Sequence, residues 1–428
     1  MKKIGVIIAA ASLLAACNNR NHTLVDAAYG DSLNIFTSPL REASDSNIVF
    51  WKKRMDSLPE NFVNGPEYAA ALYSRFKLYG NINDLLSADS LYQRSNEANQ
   101  NKEPGIYRTL TSLAMTRHRF AEADSLLQKA IAIDGQSIPN SFLRLDIAFE
   151  RGDYRNAKSL LESLKTGNDN SYAYLFRESK MEHYDGSLDT AISCMLRASE
   201  KANGLKSLRQ AALSNAADLY IHKGNLDKAL ELYQQSISID VSDLHSIMGM
   251  GWAILMRDKN DSLAEKLFNY VQKHSSSPDV LLRFWQLAEF RGDSVARMNY
   301  AAQFSNMVSD PKYGRMYSKY LIDLYTSVSR NPSAALTLAT DEINNRISPQ
   351  VFAWYAWALF CNNEKDKAYS TFKTSVSGKP LEGLELYYMG RMLKEMGKGY
   401  DAGQYFKAAW KNRYDLSPDK QEYIGDNL

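Results

Sequence analysis

Residues that carry chemistry are scarce in this chain. Of 428 residues, six are histidine and three are cysteine, at positions 17, 194 and 361. His118, His183, His222, His245 and His274 are widely separated, and none has a second histidine or a cysteine three or four residues away, as a histidine-based metal site on a helix requires. Cys194 and Cys361 lie several repeats apart, too far for a disulfide within one chain, and read as small buried hydrophobes. Met181-Glu182-His183-Tyr184 is not a zinc-protease motif, and Gly249-Met250-Gly251 lacks the third glycine and the preceding strand of a dinucleotide site. No phosphate-cradling GxxxxGK[ST] or nucleophile-bearing GxSxG occurs. The expectation is a non-enzymatic protein with no metal and no cofactor.

An excess of one charge is missing too. Lysine and arginine number 51 and aspartate and glutamate 49, so nothing draws the chain to nucleic acid. Long apolar runs are absent apart from Ile4 to Ala16, which falls short of the roughly 20 residues that span a bilayer. Disorder is excluded by an aromatic content of 11%, including 26 tyrosines.

What is present is a repeat. Over residues 349 to 416 the sequence reads the same way twice at a spacing of 34: Ala356 becomes Gly390, Leu359 becomes Leu393, Ala368 becomes Ala402, Phe372 becomes Phe406 and Ser375 becomes Ala409. Small residues recur where two antiparallel helices approach closely, and large apolar ones where the facing helix leaves a hole. Ser348 and Pro349 supply a helix start, and Gly378 and Pro380 a stop. The unit is a helical hairpin.

Counted from Pro349, aromatic Phe352, Tyr355, Ala356, Leu359, Ala368, Phe372 and Pro380 fall where the tetratricopeptide (TPR) repeat has its signature residues, and the pattern resembles that family. The resemblance implies an all-α superhelix of about eight to nine helical hairpins. Earlier units show the same marks, with predicted starts at 104, 138 and 172 and at about 210. A poor unit over 66–102 carries Leu85 in place of the alanine. Units near His245 and Pro278 place Trp252 and Trp285 where a small residue belongs, and Arg297 replaces an alanine, which predicts locally opened helix packing. A further unit from about 315 leads to the two strong ones. Because each repeat contacts only its neighbours, the array of 103–416 reads as one elongated domain.

The amino-terminal segment carries a second resemblance. Lys2 and Lys3, the apolar run and Leu14-Ala15-Ala16-Cys17 resemble the signal and lipobox of bacterial lipoproteins, which implies a signal peptide over 1–17 and lipidation of Cys17. Asn18 after the cysteine implies outer-membrane residence, facing the periplasm. Residues 18–47 read as a flexible tether, 48–102 as amino-terminal helices with the degenerate repeat, and 417–428 as a tail too short to cover the last repeat.

In TPR proteins the first helix of each unit lines a concave face. Mapped here, the family's inward positions give Phe142, Asp146, Phe149, Phe176, His183, Tyr184, Asp218, Trp357 and Tyr387 as a partner-binding groove. Aromatics among charges suit an extended peptide or a helix. The two-carboxylate clamp of chaperone-tail-binding relatives is absent. The resulting expectation is a lipid-anchored scaffold that binds a protein or peptide partner at the bacterial envelope. The alternative is a nutrient receptor similar to the SusD-type glycan-binding lipoproteins, although those carry large insertions that this chain lacks.

Overall fold

One backbone feature recurs through the chain. At the fifteenth position of most units the residue takes a positive φ, as at Gly152 and Gly186, both at 83°. Glycine reaches that left-handed conformation without strain, and it ends the first helix of a hairpin so that the second can fold back. His118, Lys259 and Asn363 adopt it at the same position without being glycine, with φ of 54°, 55° and 64°. The repeat is therefore periodic in its turn as well as in its core.

The structure, a computed structural model, describes residues 30, 33, 35–58, 63–397 and 402–428. The expected signal and lipid site at 1–17 lie outside the described residues. Among those residues there are no strands. Among the described residues helix α1 (Pro39–Ser57) precedes ten hairpins, where about eight to nine were expected. These are α2 and α3 (Asn64–Tyr79, Ile82–Ala98), α4 and α5 (Pro104–Thr116, Phe120–Asp134), α6 and α7 (Ile138–Glu150, Tyr154–Lys165), α8 and α9 (Tyr172–Tyr184, Leu188–Glu200), and α10 and α11 (Lys206–Lys223, Leu226–Ile239). There follow α12 and α13 (Leu244–Asp258, Asp261–His274), α14 and α15 (Asp279–Phe290, Ser294–Val308), α16 and α17 (Ser318–Ser327, Pro332–Asn345), α18 and α19 (Pro349–Cys361, Lys365–Thr371, continued by a wider turn over Phe372–Val376), and α20 and α21 (Gly383–Glu395, Gly403–Lys411). A short helix, α22 (Pro418–Gly425), ends the chain. The all-α solenoid read from the repeat is the observed fold, and α4, α6 and α8 begin at the predicted starts.

Within a hairpin the close approach is literal. A methyl group at Gly390 would stand 2.8 Å from the ring of Phe406, so the small residue and the phenylalanine sixteen positions on form one contact. In the hairpin of α12 and α13 the expected opening does not occur. Gly249 and Gly251 take over the close approach, against Tyr233 and Phe268, where an added Cβ would lie 2.4 and 2.6 Å away. Trp252 is thereby released to face inward, and it is 2% exposed. Trp285 is likewise buried, and Arg297 reaches the rim, where it pairs with Asp419.

The expected elongated array, with contacts between neighbours only, is corrected by the closure of the superhelix on itself. The turn at Gly80 meets the linker between α13 and α14, where Ser276 N donates to Tyr79 O at 2.7 Å. The turn at Gly152 meets the linker between α17 and α18, where Ile347 N donates to Arg151 O at 3.0 Å. Asn345 donates through Nδ2 to His118 O at 2.9 Å. An apolar core follows the same path, joining Leu72, Leu85 and Leu113 to Leu282, Trp285, Phe304 and Leu324. Neighbour-only contacts hold for open solenoids; here the curvature is tight enough to bring the first hairpins against the seventh and eighth.

Both ends also differ from expectation. Helix α1 starts at Pro39, inside the predicted tether, and its capping Ser38 donates to Asp240 Oδ1 at 2.5 Å. Leu33 is fully buried as part of the apolar core that runs from α8 to α14. The carboxyl-terminal tail, read as too short to cover the last repeat, forms α22 inside the superhelix, with Lys420 and Ile424 buried.

The closure has a measurable signature. Gly152→Ala and Gly186→Ala impose the same backbone strain, of about 1 kcal/mol. Only at Gly152 does the new Cβ meet backbone, 2.8 Å from Ser348 N, whereas nothing lies within 4 Å at Gly186. Urea unfolding should show Gly152→Ala more destabilised than Gly186→Ala, by roughly a further 1–3 kcal/mol; equal midpoints would contradict the closure.

Candidate functional site

Closure turns the concave face into a chamber of about 860 Å³. One wall comes from α6 to α8, with Phe149, Glu150, Tyr154, Lys180, His183 and Tyr184, and the opposite wall from residues 319–385, with Lys319, Tyr320, Arg346, Trp354 and Glu385. Tyr154 bridges the walls, donating to Gln350 Oε1 at 3.3 Å. Its ring stacks on Tyr184 at 3.6 Å, and Phe149 stands edge-on to both.

Charges in the chamber are paired across helices. Lys180 Nζ donates to Glu150 Oε1 at 2.9 Å. Burial works against the Lys180 charge, but the Glu150 and Asp146 carboxylates together outweigh it and keep the lysine pKa above its ordinary value. On the far wall Trp354 Nε1 donates to Glu385 Oε1 at 2.6 Å, and Lys319 stands 3.5 Å from the same oxygen. Burial again works against the Lys319 charge, and Glu385 with Glu382 more than restores it. Arg346 pairs with Glu342 at 2.9 Å and covers the Trp354 ring at 5.2 Å. Two buried polar atoms of the lining residues have no hydrogen-bond partner: His118 Nδ1 and Glu385 Oε2. Burial, with Arg346 nearby, pushes the His118 pKa down. A surface of this kind offers donors, acceptors and apolar edges together, which suits a peptide backbone with mixed side chains.

The residues mapped from the repeat separate into several places. Phe149, His183 and Tyr184 line the chamber. Phe142 lines a neighbouring groove of about 620 Å³ under Arg177, whose guanidinium lies 4.6 Å over its ring and binds Asp146 through two bonds of 2.8 and 2.5 Å. Phe176 and Asp146 border a smaller hollow beside it. Asp218 lies in a fourth cavity with His245 and Phe76. Trp357 and Tyr387 line none of these. Trp357 is buried against Tyr388 and donates to Thr326 Oγ1 at 3.0 Å, and Tyr387 is covered by Arg391 and Tyr423.

Glu150, Tyr154, Lys319, Tyr320, Arg346, Trp354 and Glu385 were missed by the mapping. Glu150 and Lys319 do occupy inward positions of their units, so the same rule applied throughout would have found them. Arg346 is brought in by the closing linker and carries no repeat signal.

Other chemistry is quiet. Burial pushes the Cys194 and Cys361 thiols up to about 12, away from the reactive thiolate. Among the described residues no cluster of three metal-binding side chains occurs, and no helix is long and apolar enough to cross a membrane.

One titration is open to measurement. The Asp218 carboxylate, 2.8 Å from His245 Nε2, pushes the histidine pKa up to about 9 against the opposing effect of burial. About half of the His245 side chain is exposed, so solvent screens the energy of the pair. Because the folded pKa lies above the unfolded value, the stabilisation is complete below about pH 6.5 and is lost as pH rises through 9. An NMR titration should find His245 charged at pH 7.5 and neutral in Asp218→Asn; an unchanged midpoint would refute the pairing.

A family model of the tetratricopeptide repeat matches residues 212–245. A search of curated protein sequences returned no match. Among solved structures, PilF of Pseudomonas aeruginosa is similar at 14% identity and a TM-score of 0.38, covering 51% of this chain and 97% of that one. YrrB, described as a TPR protein with an unusual peptide-binding site, is similar at 20% identity and a TM-score of 0.27, covering 46% and 95%. The human IFIT1 dimer with m7Gppp-AAAA is similar at 10% identity and a TM-score of 0.49, covering 76% and 75%. Residues 212–245 thus form a tetratricopeptide-type repeat, and helical hairpins stand on either side of it.

Proposed function

We propose that the chain is a non-enzymatic scaffold, anchored by a lipid on Cys17 in the bacterial outer membrane and facing the periplasm, which holds a protein or peptide partner inside its closed superhelix. The observation that carries the binding part is the chamber, in which aromatic edges alternate with paired charges on two facing walls. A cavity of about 860 Å³ is in the range of ligand sites and admits a short extended segment rather than a folded domain. The sequence of residues 1–17 supports the anchor. A glycan receptor would need open ring faces. Here Arg346 lies over Trp354, Lys180 lies 4.9 Å over Phe149, and Tyr154 and Tyr184 cover each other.

Two measurements test the reading. Cross-linking in intact envelopes should recover a defined partner, and Phe149→Ser with Tyr184→Ser should weaken its capture by about 30-fold, the scale of a lost aromatic hot spot; an unchanged partner set would count against the chamber. Cys17→Ser should move the protein from the membrane pellet to the soluble fraction, and retention in the pellet would remove the lipid anchor from the proposal.

A further inference from the structure

The inner face of the later hairpins is already occupied, by the chain's own carboxyl terminus. Residues 412–425 leave α21 and run back through the superhelix, making specific contacts with successive helices. Trp252 on α12 donates through Nε1 to Tyr414 O at 2.7 Å, and His222 on α10 meets Asp415 at 2.5 Å. Gln421 approaches Met256 Sδ at 3.3 Å. At the centre, Lys420 donates to Asp323 Oδ2 on α16 at 3.0 Å, with its ammonium 5.5 Å from the Trp285 ring and 6.0 Å from that of Tyr387. Tyr423 packs edge-on against Tyr387 and Phe406 at 5.7 and 6.0 Å, under Arg391. Ile424 is fully buried.

These contacts have the make-up of a bound ligand rather than of one more repeat. A lysine and an aromatic three residues apart lie on one face of a helix, and each enters its own socket. Part of the groove is built from residues that break the repeat pattern: Trp285 lies beside Lys420 and Trp252 holds Tyr414 O, and both stand where other units carry a small residue. Lys420 is the one cation of the segment at the centre, and it acts on two carboxylates, Asp323 and Glu289. Asp323 is held further by Tyr388 Oη at 2.9 Å. Glu289 is 9% exposed, its Oε2 has no hydrogen-bond partner, and neither has the nearby Trp285 Nε1. Burial pushes Glu289 up to about 7 despite Lys420. At the rim the segment is held by the partly exposed pairs Arg297–Asp419 and His222–Asp415, which are individually weak.

We propose that this groove is a docking site for an amphipathic helical segment of a partner protein, with a lysine or arginine followed three residues later by an aromatic, and that residues 412–425 fill it as an internal stand-in which that segment displaces. The proposal rests on the scaffold reading and names the chemistry of one partner. A tethered occupant competes at an effective concentration of the order of millimolar, so the groove is masked in the resting chain and opens when the anchors weaken.

The test uses the full chain and a fluorescent synthetic peptide with the sequence of residues 412–428. Polarisation should show weak binding to the unaltered protein. Binding should be roughly ten- to a hundred-fold tighter in a Lys420→Ala, Tyr423→Ala chain whose circular dichroism and melting remain cooperative. Adding Asp323→Asn to that chain should remove the gain, and a peptide carrying the same two alanines should bind neither chain. A second variant, Met256→Cys with Gln421→Cys, is oxidised with a short bis-thiosulfonate reagent that bridges the two thiols and holds the helix in place. Peptide binding should vanish in the oxidised form and return on reduction, and this serves even if the alanine chain fails to fold. A folded alanine chain with no gain, or equal binding by oxidised and reduced forms, would show that α22 is a structural cap only and overturn the proposal. Neither result bears on Phe149 and Tyr184 in the chamber, so partner capture there is scored separately.

Discussion

The backbone contact between the turn at Gly152 and the linker at Ile347 and Ser348 is the constraint on which the rest of the architecture depends. A hydrogen bond of 3.0 Å between main-chain atoms of Ile347 and Arg151 leaves no room for a side chain at the turn. Together with the matching contact of Tyr79 with Ser276, it fixes how far the superhelix has advanced by the time it meets its own beginning. An open TPR array presents a long groove and gains stability hairpin by hairpin. A closed one adds long-range burial, such as Leu282 and Phe304 against Leu72 and Leu85, and exchanges the groove for an interior.

An interior changes what polar residues can do. On an open concave face Lys180, Lys319 and Arg346 would be solvated and weakly coupled to their carboxylates. Enclosed, each is matched by a glutamate and laid over an aromatic ring, because an unpaired charge at that depth is costly. The same economy of space explains the carboxyl terminus. The segment that follows the last hairpin finds inner faces of α10, α12, α14, α16 and α20 pointing toward one line, and fills it with Tyr414, Lys420 and Tyr423.

Departures from the repeat consensus therefore have two physical meanings here. Gly249 and Gly251 preserve the approach of α12 to its neighbours, so Trp252 is free to serve the interior instead of splaying the hairpin. Arg297, where an alanine was expected, lies at the rim and reaches Asp419 on α22. Each residue that looked like a flaw in its own unit makes a contact with a remote one.

What the sequence by itself determined is the hairpin and its recurrence. Small residues at Ala356 and Gly390, phenylalanines at 372 and 406 and positive-φ turns such as Gly152 and Gly186 act within one unit or between adjacent ones, so a spacing of 34 exposes them. Part of the inner face was legible for the same reason: Phe149, His183 and Tyr184 follow from repeat position and do line the chamber. Arg346, Trp354 and Glu385 on the opposite wall, and the burial of Lys420, were decided only by the tertiary structure. Whether a solenoid closes depends on small rotations added over many hairpins, and no local pattern encodes that sum. Contacts between residues two hundred positions apart, such as Tyr154 with Gln350 and Ser38 with Asp240, follow from it and leave no periodic trace.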